Sequence, residues 1–128
     1  AEIAESGGTG GFTDLLATVP NLVDDYETTG GLLDPGGSVV VELEAGRRFN
    51  RLSPAAMLLP TNDSFVGLES VRLPAFRGQT VRYTAVGYDA GSESNDELCA
   101  NIPGPQCGGA GLSPDEDGEG YVRVVDSR

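Results

Sequence analysis

The sequence predicts an all-β fold, an antiparallel β-sandwich with a short helical N-terminal segment and a long acidic loop stapled by a disulfide. Three observations point there. The 128 residues include 19 glycines and 8 prolines, so turns are frequent and elements short. Hydrophobic residues make up 38% and aromatics 6%, which leaves a modest core built mainly from Val, Leu and Ala. Several short runs alternate apolar and polar residues with the period of a strand.

Residues 1–10, AEIAESGGTG, are acidic and then glycine-rich. They read as a linker or fragment end, a short helix followed by a flexible link, ahead of one domain over 11–128. Residues 12–19, FTDLLATV, place Phe12, Leu15, Leu16 and Val19 on one helical face. Thr13 or a preceding glycine caps that helix, and Pro20 stops it. Its role is a lid on the sandwich edge or a partner-binding helix. A turn-rich connector, 28–37, follows.

The first clear strand is 38–44, SVVVELE. Val39, Val41 and Leu43 form one face, and Val40, Glu42 and Glu44 the other. Residues 51–59 form the next strand; Pro54 breaks its start, and AAMLL at 55–59 reads as covered on both faces. Residues 65–73, FVGLESVRL, alternate again, as do 79–86, QTVRYTAV, with Val81, Tyr83 and Ala85 on one side. The last strand is 119–125, EGYVRVV. These sequential strands suit a sandwich but are few for two closed sheets, as though strands were missing at one or both ends.

Between the last two strands lies an acidic loop, 88–118, with both cysteines inside. A loop this long is functional or disordered, and the cysteines argue against disorder. From Cys99 to Cys107 the sequence CANIPGPQC has no hydrophobic periodicity. Gly104 between two prolines suits a reversal that returns one thiol to the other. A disulfide there implies an oxidising, extracytoplasmic compartment. No apolar run is long enough to span a membrane, and no signal peptide is visible, so the chain reads as mature or as a fragment.

The formal net charge is −12, and there is no histidine. All eight basic residues are arginines. Nothing here neutralises phosphates, so nucleic-acid binding is not expected. The acidic surplus is either a solvated surface or a cation-binding one. The second reading gains where acids cluster, at 89–97 and 115–119.

Two acidic turns stand at the ends of expected strands, PTNDS at 60–64 and YDAGSE at 88–93. If those strands lie side by side, Asp63, Asp89 and Glu93 meet at one rim. Crowded carboxylates repel, and hard oxygen ligands without histidine or a nearby thiolate pair favour Ca²⁺ over zinc or copper. The alternative is that Asn-Asp and Asp-Ala-Gly are simply turn formers. Catalysis is not expected. Asp63 with Asp89 or Glu93 imitates a glycosidase pair, but there is no histidine, no activated serine or cysteine, and no phosphate-binding glycine loop.

At MLLPTNDSFVG (57–67) and YDAGSESNDELCANIPGPQCGG (88–109) the sequence resembles the spondin domain. It is closer to bacterial and marine secreted members than to the N-terminal spondin domain of animal F-spondin. The resemblance runs from about residue 10 to residue 125. It implies a secreted or cell-surface, calcium-binding β-sandwich used in adhesion or extracellular binding, without catalysis, toward a protein or glycan partner. It places calcium ligands on Asp63, Asp89 and Glu93, the last where animal members have aspartate. Asn62, Ser64, Asp96 and Glu97 are further candidates by proximity in sequence. The family's domains begin earlier and close with a further strand, so 11–128 reads as an incomplete spondin-like domain. That motivates a second expectation, a structural subunit of an extracellular filament, matrix or surface assembly, completed by strands from another chain.

Overall fold

The computed structural model describes residues 2–96, 98–112 and 117–125. The chain forms two compact units: Ala1–Gly8 together with Arg51–Arg128, and Thr9–Asn50.

The first unit is β-rich, with two antiparallel sheets. The strands are β1 (Arg51–Leu52), β2 (Ala55–Met57), β3 (Ser64–Gly67), β4 (Val71–Arg72), β5 (Val86–Asp89) and β6 (Arg123–Val124). The larger sheet has the order β2-β3-β5-β6, and β1 pairs with β4 in the smaller one. At its centre Phe65 lies opposite Tyr88, and their rings stack with centroids 5.3 Å apart. A short helix, α1 (Glu2–Ser6), lies against β2 and β3. It carries Ala4, the only buried apolar side chain among the described residues.

The strands are shorter than their sequence patterns suggest. The expected strand 51–59 is two pieces, because Pro54 cannot donate to a ladder and separates β1 from β2. Its residues are not covered on both faces: Ala55 and Ala56 are exposed, and Met57, Leu58 and Leu59 are half-buried. The expected strand 65–73 is likewise split, with Ser70 at φ +51° between β3 and β4. Of 79–86, only Val86 joins a ladder. Val81 and Tyr83 are exposed, and the Tyr83 hydroxyl donates to the Arg72 carbonyl at 2.7 Å.

The second unit contains the helix α2 (Gly10–Ala17), two residues earlier than its apolar spacing indicates at each end. Thr9 occupies the N-cap position without a side-chain cap, and Thr13 Oγ1 instead donates back to the Gly10 carbonyl at 3.0 Å. Residues 38–44 form no strand. A ladder needs backbone bonds to a neighbouring segment, and this run makes none among the described residues. It is anchored only at its end, where the Glu44 N–H donates to Asp25 Oδ2 at 2.8 Å and the Gly46 N–H to Asp24 Oδ2 at 2.5 Å. No described residue of this unit is buried.

Candidate functional site

The β3–β5 register sets Ser64 opposite Asp89. Asp63, one residue before β3, therefore lies beside the turn that leaves β5. The ladder continues one step into that turn, with the Ala90 N–H donating to the Asp63 carbonyl at 3.0 Å. The strand ends thus bring the PTND and YDAG turns together at one rim of the larger sheet. The Leu59–Pro60 peptide in the first turn is cis.

Burial marks this rim. The buried polar or charged residues described are Glu5, Asn62, Asp63, Asp89 and Glu93, and all but Glu5 lie here. The relative exposures of Asp63, Asp89 and Glu93 are 0%, 5% and 2%. A carboxylate out of water costs several kcal/mol unless donors or cations replace the lost hydration.

Asp63 is met by backbone. Its Oδ2 accepts from the Ser92 N–H at 2.9 Å, the Glu93 N–H at 3.1 Å and, more weakly, the Ser92 hydroxyl at 3.4 Å. These bonds organise the YDAGSE turn around one side-chain oxygen. The other oxygen, Oδ1, is buried with no hydrogen-bond partner among the described residues.

Asp89 is met by an arginine. Arg123 sits opposite it in the β5–β6 register. Its Nη2 and Nε donate to Asp89 Oδ2 at 2.9 and 3.2 Å. Asn95 Nδ2 adds a bond to the same oxygen at 3.1 Å, and Oδ1 accepts from the Gly91 N–H at 2.8 Å. Burial pushes this carboxyl up. The hydrogen bonds from Arg123, Asn95 and Gly91, with the charge of Arg123, outweigh burial and hold it below the usual aspartate value. The same pairing raises Arg123 further. Arg123 Nη2 also reaches Glu119 Oε1 at 2.9 Å, and Asn95 Nδ2 reaches that oxygen at 3.2 Å.

Gly91 is what lets the second turn close. It has φ +63°, and a Cβ there would stand 2.3 Å from the Tyr121 carbonyl oxygen. The Gly91 carbonyl in turn accepts from the Gly120 N–H at 2.8 Å.

The remaining candidates divide. Asn62 is buried, and its Nδ2 donates to the Ser94 carbonyl at 2.9 Å, tying the two turns together. Ser64 opens β3, and its N–H donates to Thr61 Oγ1 at 3.3 Å. Asp96 is exposed and turned away, its carboxylate accepting from the Leu98 N–H at 2.8 Å and Asn101 Nδ2 at 2.7 Å. Glu97 lies outside the described residues. Cys99 and Cys107 form a disulfide with Cα atoms 4.9 Å apart. Beside the rim is a hollow of about 360 Å³ lined by Pro60, Thr61, Asn62, Ser64, Asn95 and Ile102.

As they stand, no three acidic or cysteine side chains among the described residues are gathered closely enough to hold one metal ion. The hydrogen bonds give the reason. Asp63 turns one oxygen into the 92–93 amides, while Asp89 is drawn toward Gly91 and Arg123. Sequence reasoning did not single out Arg123 or Asn95. The available signal was an arginine in the final strand, able to register with an acid at the end of the preceding one.

No protein-family model, curated protein or solved structure matches the chain. No helix among the described residues is long and apolar enough to cross a membrane.

Proposed function

We propose that this chain is a secreted, calcium-stabilised binding or adhesion module of the spondin kind, without catalytic activity. One observation carries the reading. Asp63 is fully buried with an oxygen that no described group donates to, on a rim shared with buried Asp89 and Glu93. Arg123 donates to Asp89, and no described guanidinium donates to Asp63. Asp63 Oδ1 is therefore without a compensating donor among the described residues. Ca²⁺ supplies positive charge there, with Asp63, Asp89 and Glu93 as the carboxylate ligands and turn carbonyls and water completing an oxygen shell. Asp63 Oδ1 is placed to accept a cation without giving up any bond. The rim's loops, made rigid, present the surface that meets an extracellular protein or glycan, and the Cys99–Cys107 bridge suits an oxidising compartment.

The test is thermal unfolding with Ca²⁺ and again with excess chelator. With calcium at a hundredfold excess over its dissociation constant, the midpoint rises by on the order of 10 °C. An unchanged midpoint removes the calcium reading.

A second reading, a subunit of an extracellular filament, matrix or surface assembly completed by strands from another chain, is supported by a different observation. Many large apolar side chains are exposed, including Leu22, Leu32, Val40, Phe76 and Tyr121. Apolar surface on that scale is usually covered by a partner.

A further inference from the structure

The hollow of about 360 Å³ beside the rim is walled by Pro60, Thr61, Asn62, Ser64, Asn95 and Ile102, and none of these side chains is charged. In a chain of net charge −12, that wall selects its occupant. It holds no arginine, so an anion meets only the repulsion of the surrounding acids. It holds no carboxylate, so a hard cation finds no anionic oxygen. The ligand that fits is neutral.

The polar groups of the wall are already oriented. Asn95 Nδ2 donates to Asp89 Oδ2 at 3.1 Å and to Glu119 Oε1 at 3.2 Å. What that amide has left is Oδ1, an acceptor without a partner among the described residues. Asn62 Nδ2 is held by the Ser94 carbonyl at 2.9 Å, which fixes its amide and leaves its Oδ1 open as well. Ser64 is fixed in the β3–β5 ladder, and its N–H donates to Thr61 Oγ1 at 3.3 Å. Its hydroxyl has no partner among the described residues. Thr61 Oγ1 is occupied, since it also donates to the Leu58 carbonyl. The hollow therefore offers two positioned amide acceptors and one hydroxyl beside the apolar Pro60 and Ile102.

Acceptors call for a ligand rich in donors. A sugar supplies neighbouring hydroxyls on a neutral ring, together with a C–H face for an apolar wall. A peptide is captured by a free strand edge or an apolar groove, whereas Ser64 belongs to β3, an inner strand of its sheet. The volume lies toward the lower end of the roughly 300–1,000 Å³ typical of small-ligand sites, which suits a mono- or disaccharide.

We propose that this hollow is a glycan subsite for a neutral sugar. Asn62 Oδ1, Asn95 Oδ1 and the Ser64 hydroxyl bond its hydroxyls, and Pro60 and Ile102 pack against its ring. The proposal rests on the binding-module reading and names its ligand class and place. No metal ion takes part in the contact.

The test is a printed array bearing neutral glycans ending in mannose, galactose, glucose or N-acetylglucosamine, sulfated and sialylated glycans, and unglycosylated peptides, probed with calcium present. The native chain should be retained on a subset of the neutral glycans. Ser64→Val, which removes the hydroxyl and fills the hollow, should abolish that retention, and Ile102→Ala should weaken it severalfold. Circular dichroism checks that each variant is folded, and Ile102→Ala should keep the calcium-dependent rise in midpoint. Retention only on sulfated or sialylated glycans, or only on peptides, overturns the proposal, as does neutral-glycan retention that either folded variant leaves intact. A native chain retained on no glycan overturns it too. If calcium still raises the midpoint of that chain, the calcium reading stands without this subsite; if it does not, both fall.

Discussion

Arg123 and Asp89 face each other across the β5–β6 ladder and are joined by a 2.9 Å ion pair whose carboxylate is buried and whose guanidinium is partly solvated. The pair is asymmetric in consequence. Losing the arginine strands a buried charge, whereas losing the aspartate leaves an arginine that water and Glu119 still satisfy.

That asymmetry sets a pH dependence. The folded protein holds Asp89 below its usual value of 3.8, so the stabilisation is fully present above that value. It is lost as pH falls through the lowered value. In Arg123→Gln the lowering by the Arg123 hydrogen bond and charge is lost, and the Asp89 carboxyl moves up. Acid unfolding followed by circular dichroism should therefore begin at higher pH in Arg123→Gln than in the native chain. Superimposable acid transitions would show that the pair does not act on stability.

The same substitution tests the proposed calcium site, because Arg123 already occupies one oxygen of Asp89. Arg123→Gln is expected to bind Ca²⁺ more tightly by calorimetry at neutral pH. Weaker binding would mean that Arg123 orients Asp89 for the metal rather than competing for it.

Asp63→Asn tests the unmatched oxygen. An asparagine keeps an acceptor for the Ser92 and Glu93 amides and removes a buried charge. In chelator its midpoint should equal or exceed that of the native chain, and the calcium-dependent rise should vanish. Asp63→Ala, which removes the acceptor as well, should destabilise in both conditions by about 1–3 kcal/mol. An asparagine variant that still responds to calcium would place the metal elsewhere.

Gly91→Ala should be among the most damaging single substitutions. It combines a left-handed backbone with a Cβ driven into Tyr121, and the atoms it meets are all backbone rather than a flexible side-chain end. A loss of about 2 kcal/mol or more is expected by denaturant titration. A loss of a few tenths would mean that the 88–93 turn rearranges at little cost.

Replacing Cys99 and Cys107 together by serine should lower stability by about 2–3 kcal/mol, from the entropy of the short loop they close. The local effect should reach Asp96, whose carboxylate bonds to Leu98 and Asn101 in the same loop. Hydrogen exchange at the Leu98 amide, which donates to Asp96, reads it directly. Unchanged protection would show that backbone bonds such as Gly109 N–H to Ile102 O hold the loop alone.

The rim was legible in the sequence because turn chemistry is local. Asn-Asp after a proline and Asp-Ala-Gly after a strand each announce a reversal, and strand adjacency then brings Asp63 to residues 92 and 93. The disulfide was legible for the same reason, a proline-glycine-proline reversal between its cysteines. Arg123 escaped because its importance comes from register with Asp89, which alternation within one strand does not reveal. Residues 38–44 and 79–85 were over-read as strands. Period-two alternation reports fitness for a half-buried pleated surface, but a ladder also needs a neighbouring backbone, and that belongs to the tertiary arrangement. Gly91 looked like one turn glycine among many; the Tyr121 carbonyl that makes it indispensable is 30 residues away by number.

The rim's bonds are also long in sequence. Glu93 reaches back 30 residues to Asp63, and Arg123 reaches back 34 to Asp89. Closing loops of that length carries an entropic cost that the β3–β5–β6 ladder repays, so these acids are expected to meet late in folding. Before they are paired, Asp63, Asp89 and Glu93 are hydrated like-charged groups. The folding rate is therefore expected to climb with ionic strength, most steeply if the salt is a divalent one.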